Sequence, residues 1–161
     1  MSKIPIFALL FKINMKGDLL NQLNALLNEK IDSLNKIIKE TIESRDLQTK
    51  SSAGDKHETS RAIIQTEIDN LSLQLKKNNA LKYELSKINL SKNHPTVDVG
   101  ALVYTNNGNY FISIGWGKVI INNNVFYCIS LGSPIGKHLY NKKIGDSFSF
   151  MNKDLLIQEI Q

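Results

Sequence analysis

Two acidic side chains are the residues of this chain best placed to do chemistry. Asp55 and Glu58 are three positions apart and directly follow the small-residue stretch at 51–54. Residues at this spacing lie on one face of a helix, so both carboxylates would project from one side of a first turn. Their oxygens suit Mg²⁺, but two residues fill only part of its shell, and a partner would have to share the ion. Acidic residues also stabilise any helix start through its free amides and dipole, and spacing alone favours that simpler interpretation.

The remaining sequence predicts no active site of its own. It has no phosphate-binding glycine loop, no dinucleotide-binding glycine pattern and no Cys and His residues at metal-ligand spacing. The single cysteine, Cys128, excludes an intrachain disulfide and reads as a small buried apolar residue in a strand, which fits a reducing cytoplasm. A nucleophile–base pair of Cys128 with His138 is possible in principle, but the buried thiol is the favoured interpretation.

The charge of the chain is modestly basic, with a net charge of +5 and a pI of about 9.2. Beyond residue 92 the sequence contains five lysines and four acidic residues, so most of the excess positive charge lies in the first half. The second half therefore offers no basic stripe for a nucleic-acid backbone. The apolar run at residues 4–11 is too short to span a bilayer, and we expect no membrane association.

Two long helices are predicted for the first half. Apolar residues recur at steps of three and four from about Lys16 to Lys50 and again from about Lys56 to Ile88. The break at residues 51–54 indicates a turn, Asp55 is the expected N-cap, and the helices should pair antiparallel. Asn78 falls in the second seam as a buried or half-buried polar residue that can fix the register. Residues 1–14 are interpreted as an extension before this hairpin, with Met15 as an alternative start.

After the polar linker that ends at Pro95, the apolar period changes to two, and the chain reads as a small β-rich domain. The first predicted domain, residues 15–92, is a coiled-coil hairpin with its tip at 51–58. The second, residues 96–161, is the β-rich domain. The predicted strands are 97–105, 110–114, 118–121, 125–130, 147–151 and 155–160. Ser133 and Pro134 have the residue types that begin a helix, so a short helix is expected at 133–140. The fold class is therefore α+β.

Two segments resemble the GreA/GreB family of bacterial transcript-cleavage elongation factors. Gly-Asp-Lys-His-Glu at residues 54–58 is similar to the family's Gly-Asp-x-x-Glu tip motif, which also lies between two long helices. The sequence from Ser133 to Asp146 resembles the C-terminal pattern Ser-Pro-Ile-x-x-x-Leu followed by Gly-Lys-x-x-Gly-Asp. The two motifs together, in this order and spacing, are more specific than either alone.

The resemblance implies a fold and a function. The β-rich domain would be FKBP-like and would dock on RNA polymerase through Ser133, Pro134 and Ile135. The hairpin would enter the secondary channel, where Asp55 and Glu58 would help to hold a Mg²⁺ that activates water to cleave backtracked RNA. The protein would be a cytoplasmic monomer and an accessory factor rather than an enzyme, and its contact with RNA would be indirect.

The sequence also departs from the family pattern. Thr59 and Ala62 stand where the family has Asn and Tyr, Gly132 stands where some members carry an acidic residue, and Lys50, Lys56 and Arg61 surround the tip carboxylates. These differences bear on cleavage more than on polymerase binding, so a channel-occupying regulator without cleavage activity is the alternative. Two further hypotheses are an FKBP-like prolyl isomerase, although an aromatic-rich pocket is not evident in the sequence, and a coiled-coil adaptor, which could be dimeric.

Overall fold

The computed structural model describes residues 6–49 and 54–161, with α1 side chains described from Met15 to Gln48. Helix α1 spans Ile6–Thr49 and helix α2 spans Asp55–Ser86. The two long helices pack together and precede a six-stranded sheet with one short helix. The α+β class and the helical hairpin predicted from the sequence are thereby confirmed.

Helix α1 begins about ten residues earlier than the apolar seam predicted. Residues 6–16 contain neither Pro nor Gly, so nothing in this stretch interrupts a helix. Gly17 lies inside the helix, where glycine costs about 1 kcal/mol relative to alanine, too little to end a helix this long. Residues 6–14 are therefore part of α1 rather than a separate extension, and residues 1–5 lie outside the described residues.

The hairpin seam is apolar, with a small number of polar contacts. Leu27 and Leu34 of α1 and Ile68 of α2 are buried, and Asn78 of α2 is buried too, as its seam position predicted. The Asn78 Nδ2 donates to the carbonyl of Gln74 one turn earlier, 2.8 Å away, so its amide is satisfied within its own helix. This bond removes part of the cost of placing an amide in the seam.

The chain forms two compact units. One contains residues 24–83, the greater part of the hairpin; the other contains the start of α1 up to Leu23 together with Glu84–Gln161. Leu19, Leu23 and Leu85 are at most 1% exposed, so the ends of both helices are buried within the unit that holds the sheet. The predicted division near residues 92–96 separates these helix ends from the sheet, whereas the packing groups them together.

The six strands form one sheet in the order β3-β4-β2-β1-β6-β5. Neighbouring strands are antiparallel except for the parallel pair β2–β4. Helix α3 spans Pro134–Leu139 and lies between β4 and β5 in the chain. The strands are β1 Leu102–Thr105, β2 Gly108–Ile112, β3 Gly117–Ile121, β4 Asn124–Ile129, β5 Ser147–Phe150 and β6 Lys153–Ile160.

The first strand is shorter than predicted. Residues 98–101 form a turn in which the amide of Ala101 donates to the carbonyl of Asp98 at 3.0 Å. Gly100 has φ = +90°, a conformation that a strand cannot use and that side chains other than hydrogen disfavour. The apolar pattern from Val97 onward therefore marks burial in the core, which does contain Val97 and Ala101, rather than an extended strand.

Candidate functional site

The two tip carboxylates lie at the start of α2. The helix begins at Asp55 itself, and the carbonyl of Gly54 accepts hydrogen bonds from the amides of His57 at 3.0 Å and Glu58 at 3.3 Å. Asp55 is thus the first helical residue and not the N-cap, which corrects the prediction by one position. The capping-box arrangement between Asp55 and Glu58 does not form among the described residues, because Gly54 rather than a side chain satisfies these amides.

Both carboxylates are available for another ligand. Asp55 and Glu58 are exposed, and neither side chain has an ion pair or a hydrogen bond among the described residues. The hydroxyl of Thr59 turns back to the carbonyl of Asp55 at 3.2 Å, and that of Ser60 turns back to the carbonyl of Lys56 at 2.9 Å. The hydroxyls are therefore committed to the helix backbone. The predicted tip residues 51–53, and Lys50 before them, lie outside the described residues.

The tip alone does not complete a metal site. Within residues 6–49 and 54–161, no group of three or more His, Cys, Asp or Glu side chains is placed to hold a metal ion. Two carboxylates on one helical turn fit a hard cation such as Mg²⁺ only as part of its oxygen shell, since that ion requires six ligands. The donor set therefore suits an ion shared with a second molecule.

A polar network joins the two helices below the tip. Arg45 of α1 donates from Nη1 to Oε1 of Gln65 on α2 at 2.8 Å, and it also pairs with Asp46. Gln65 in turn donates to Asp69 at 2.8 Å. These contacts hold the two helices together toward the tip end of the hairpin.

The second predicted site lies at the start of α3. Ser133 is the N-cap, as predicted: its hydroxyl accepts from the amide of Gly136 at 3.0 Å and donates to the carbonyl of Ser130 at 2.7 Å. Pro134 follows at the first turn with its ring exposed. A Cβ at Gly136 would lie 2.2 Å from the Ser130 carbonyl oxygen, so only glycine fits there. Close packing therefore explains much of the Ser-Pro-Ile-Gly sequence.

The loop after α3 accounts for one departure from the family pattern. Asn141 stands at the place where that pattern has glycine, and it has φ = +60°. Asparagine is among the few residues other than glycine that adopt this left-handed conformation readily. The loop geometry that a glycine would allow is therefore kept by Asn141.

Ile135 connects this loop to an apolar cleft of about 380 Å³. Three aromatic side chains line the cleft, including Tyr110 and Tyr127, whose rings stack with their centres 5.7 Å apart. The sequence did not make this cleft evident. Its aromatic residues come from three different strands, so no local sequence pattern announces them. The full lining is Asn107, Tyr110, Tyr127, Ile129, Ile135, Phe150, Met151, Lys153 and Leu155.

The exposed side of α3 carries a cluster of aromatic and basic side chains. The imidazole of His138 stacks on the ring of Phe148 with 5.9 Å between centres and meets Phe150 edge-on at 5.6 Å. The Lys142 Nζ lies 5.6 Å from the centre of the Phe148 ring, within the range of a cation–π contact. Cys128 is fully buried, which confirms the prediction of a buried cysteine, and burial raises the pKa of its thiol to about 12.

Comparison with protein-family models, with curated proteins and with solved structures finds no significant match to the chain. Over the described residues, neither long helix has a stretch apolar enough to cross a membrane. The resemblance to GreA/GreB-type factors therefore depends on the two motifs themselves and on the elements that carry them.

Proposed function

We propose that this chain is an RNA polymerase-binding transcription elongation factor of the GreA/GreB type. In this proposal the hairpin enters the secondary channel of the polymerase, and Asp55 and Glu58 complete the ligand shell of an Mg²⁺ at the polymerase active site. That ion supplies an activated water for hydrolysis of backtracked RNA. The catalytic centre belongs to the polymerase, so the protein acts as an accessory factor and contacts the RNA indirectly.

The pair of exposed carboxylates at the start of α2 carries the proposal. Both lack partners among the described residues, and they follow the break between two long packed helices. A helix of 32 residues is about 48 Å long, which is enough to carry its first turn deep into a channel. The amides of His57 and Glu58 are bonded to the Gly54 carbonyl, so neither carboxylate is occupied in capping them and both remain able to coordinate an ion.

The proposed docking surface is the start of α3 with Ser133, Pro134 and Ile135. The cap bonds of Ser133 fix the loop, which leaves the Pro134 ring exposed at a rigid position. Ile135 leads into the aromatic cleft beside it. A rigid, partly apolar surface of this kind lowers the entropy cost of binding a partner protein.

The cleavage part of the proposal is tested on stalled complexes. Purified bacterial RNA polymerase, backtracked on a template, is mixed with the wild type or with Asp55→Asn/Glu58→Gln, which keeps the side-chain shapes and removes both charges. We expect the wild type to shorten the RNA and the variant to lose at least about 100-fold in rate, the size of effect seen when a charge-stabilising group is removed from an active site.

The matched control is Glu40→Gln/Glu43→Gln. These exposed glutamates of α1 are also three residues apart, so the control makes the same change of charge away from the tip. Shortening that is equal in the tip variant and the wild type would overturn the role of the two carboxylates in cleavage. Binding without shortening by any form would establish the channel-occupying regulator instead, and absence of binding would reject both forms.

The docking surface is tested separately by affinity. Pro134→Glu should weaken binding to the polymerase about tenfold, because it places a charge at the centre of the proposed contact. The control is Asn93→Glu, an exposed position in the same compact unit with the same change of charge. Equal affinities of the two variants would move the docking surface away from α3.

A prolyl isomerase is the second candidate, and the aromatic cleft is the observation that favours it. Tyr110, Tyr127 and Phe150 line a space large enough for a proline ring. A peptidyl-prolyl turnover assay on the full chain separates the two functions. Turnover that is lost on Tyr127→Ala but kept in the tip variant would favour the isomerase over the elongation factor.

A further inference from the structure

The segment between α2 and β1, residues 87–101, is fastened to its surroundings along its length; we call it the connector. At one end, Leu90 lies against α1, where a Cβ at Gly17 would be 3.9 Å from its Cδ1 atom. At the other end, Val97 is fully buried and exchanges two backbone hydrogen bonds with residues 141 and 142, at 2.8 and 2.9 Å. All of these residues belong to the compact unit that contains the sheet. His94 lies between the two fastenings.

His94 is buried in a way that suits only a neutral ring. Its side chain is 5% exposed, and neither ring nitrogen has a hydrogen-bond partner among the described residues. The ring lies over Gly100, where an added Cβ would be 3.6 Å from Nε2 and 3.4 Å from the side chain of Ile88. A charge at this place would be removed from water without a hydrogen bond in return, which is costly.

The charged groups near His94 oppose its protonation. Lys16 of α1 is 4% exposed and contributes one positive charge, and Lys92 of the connector contributes another. Asp98 is the opposing carboxylate, but it is already bonded to Lys92 and to the amide of Val99. Burial first, then Lys16 and Lys92, lower the pKa of His94 to about 4 against the smaller effect of Asp98.

We propose that the connector is an acid-sensitive latch, which closes on α1 and on the loop at residues 141 and 142 while His94 is neutral and opens when His94 takes up a proton. Protonated His94 adds a third positive charge beside Lys16 and Lys92. On opening, this ring moves out of the buried site together with the backbone of the connector. Opening breaks the bonds of Val97 to residues 141 and 142 and those that Gly100 and Ala101 exchange with Ile112 at the end of β2. The other hydrogen bonds of the sheet are kept, so opening is otherwise confined to the connector. This inference is independent of the proposed function.

The size of the effect follows from the two protonation states. The imidazole of an open connector has an ordinary pKa of 6.5, against about 4 when closed. Linkage then raises the opening equilibrium about tenfold at pH 5.5 and about 80-fold at pH 4.5, relative to alkaline pH.

The test is amide hydrogen exchange on the full chain from pH 8 to pH 4.5, corrected for the intrinsic exchange rates. We expect the protection of residues 87–101 to fall by these factors in the wild type, while the amides of β4 and those of β2 before Ile112 keep theirs, because Ile112 donates to Ala101 of the connector. In His94→Phe, which fills the site with an apolar ring, protection should not depend on pH. The control His57→Gln removes a histidine of α2 from the other compact unit and should behave as the wild type.

Two further measurements keep the test decisive if His94→Phe does not fold. The Cε1 proton of His94 should titrate near pH 4 in the wild type, and Lys16→Met should raise that midpoint. Titration near pH 6.5 with unchanged protection would overturn the latch. So would an equal loss of protection in wild type and His94→Phe, or a loss shared equally by β2 and β4, which would indicate global rather than local opening.

Discussion

A carboxylate near a helix start can stabilise the helix through its dipole or by capping an amide, and only the capping role occupies its oxygens. Asp55 and Glu58 have the residue types and spacing of a capping pair, yet the Gly54 carbonyl accepts the amides that such a pair would hold. Ser133 shows the opposite case, since its hydroxyl accepts the amide of Gly136 and so serves α3 directly. The two predicted sites therefore differ: the carboxylates of Asp55 and Glu58 are free to coordinate an ion, whereas Ser133 holds the loop before α3 in place.

The close approach at Gly136 leads to a prediction about stability. In Gly136→Ala, the new Cβ meets the Ser130 carbonyl at 2.2 Å and the Leu131 Cα at 3.0 Å, and both are backbone atoms that cannot rotate away. We expect a loss of about 2–3 kcal/mol in the free energy of unfolding, the usual cost of overpacking. Urea unfolding followed by the fluorescence of Trp116, the single tryptophan, measures it.

Gly132→Ala is the matched control for this prediction. Gly132 is exposed and precedes the same helix, and its nearest contact would be the Ser130 Oγ atom at 3.9 Å. Its unfolding free energy should change by less than about 0.5 kcal/mol. Equal changes in the unfolding free energy of the two variants would show that the backbone near Gly136 moves to accept a Cβ. Close packing would then not explain this glycine.

At the scale of the elements, the periodicity of the sequence predicted which helices form better than it predicted where elements begin. The seams of α1 and α2, the break between them and the start of α3 were all predictable, because each follows from residue spacing or from a cap. The early start of α1 was not, since the mostly apolar run at residues 4–11 has no helical face to recognise. The strand predicted from Val97 failed for a related reason: burial in a turn and burial in a strand select the same apolar residues.

The cleft and the Arg45 network could not be predicted at all. Tyr110, Tyr127 and Phe150 become neighbours only through the sheet, in which the parallel β2–β4 pair sets Tyr110 opposite Tyr127. Arg45 and Gln65 are twenty residues apart and meet only through the hairpin register. Such contacts depend on tertiary structure, for which a single sequence offers no local signal.

The Arg45 network predicts how firmly the tip end of the hairpin is held. Arg45→Met keeps an apolar stem and removes the bond to Gln65, a contact worth about 1 kcal/mol. We expect hydrogen exchange at residues 41–49 and 60–69 to increase about fivefold, while residues 24–34 and the sheet are unaffected. Arg61→Met, an exposed position near the same end of α2, is the control. Faster exchange in both variants would assign the effect to the loss of charge instead of the bond between helices.

For the molecule as a whole, the buried His94 predicts that stability falls in mild acid. Its pKa is about 4 in the folded chain and 6.5 in the unfolded chain, so the unfolded chain takes up the proton first. The stability that the neutral ring allows is complete above pH 6.5 and is lost as the pH falls toward 4. By linkage, the free energy of unfolding should drop by about 2 kcal/mol between pH 7.5 and pH 5.

Asp98 does not interfere in this window. Its bonds to Lys92 and to the Val99 amide lower its pKa below the ordinary 3.8, so the stability it contributes is lost only at a more acid pH. Urea unfolding of the full chain at pH 7.5 and pH 5, followed by Trp116 fluorescence, therefore reports mainly on His94. In His94→Phe the drop should disappear, and the variant should be at least as stable as the wild type at pH 7.5, because an apolar ring replaces two unpaired nitrogens. A drop of the same size in both proteins would place the acid sensitivity elsewhere in the chain.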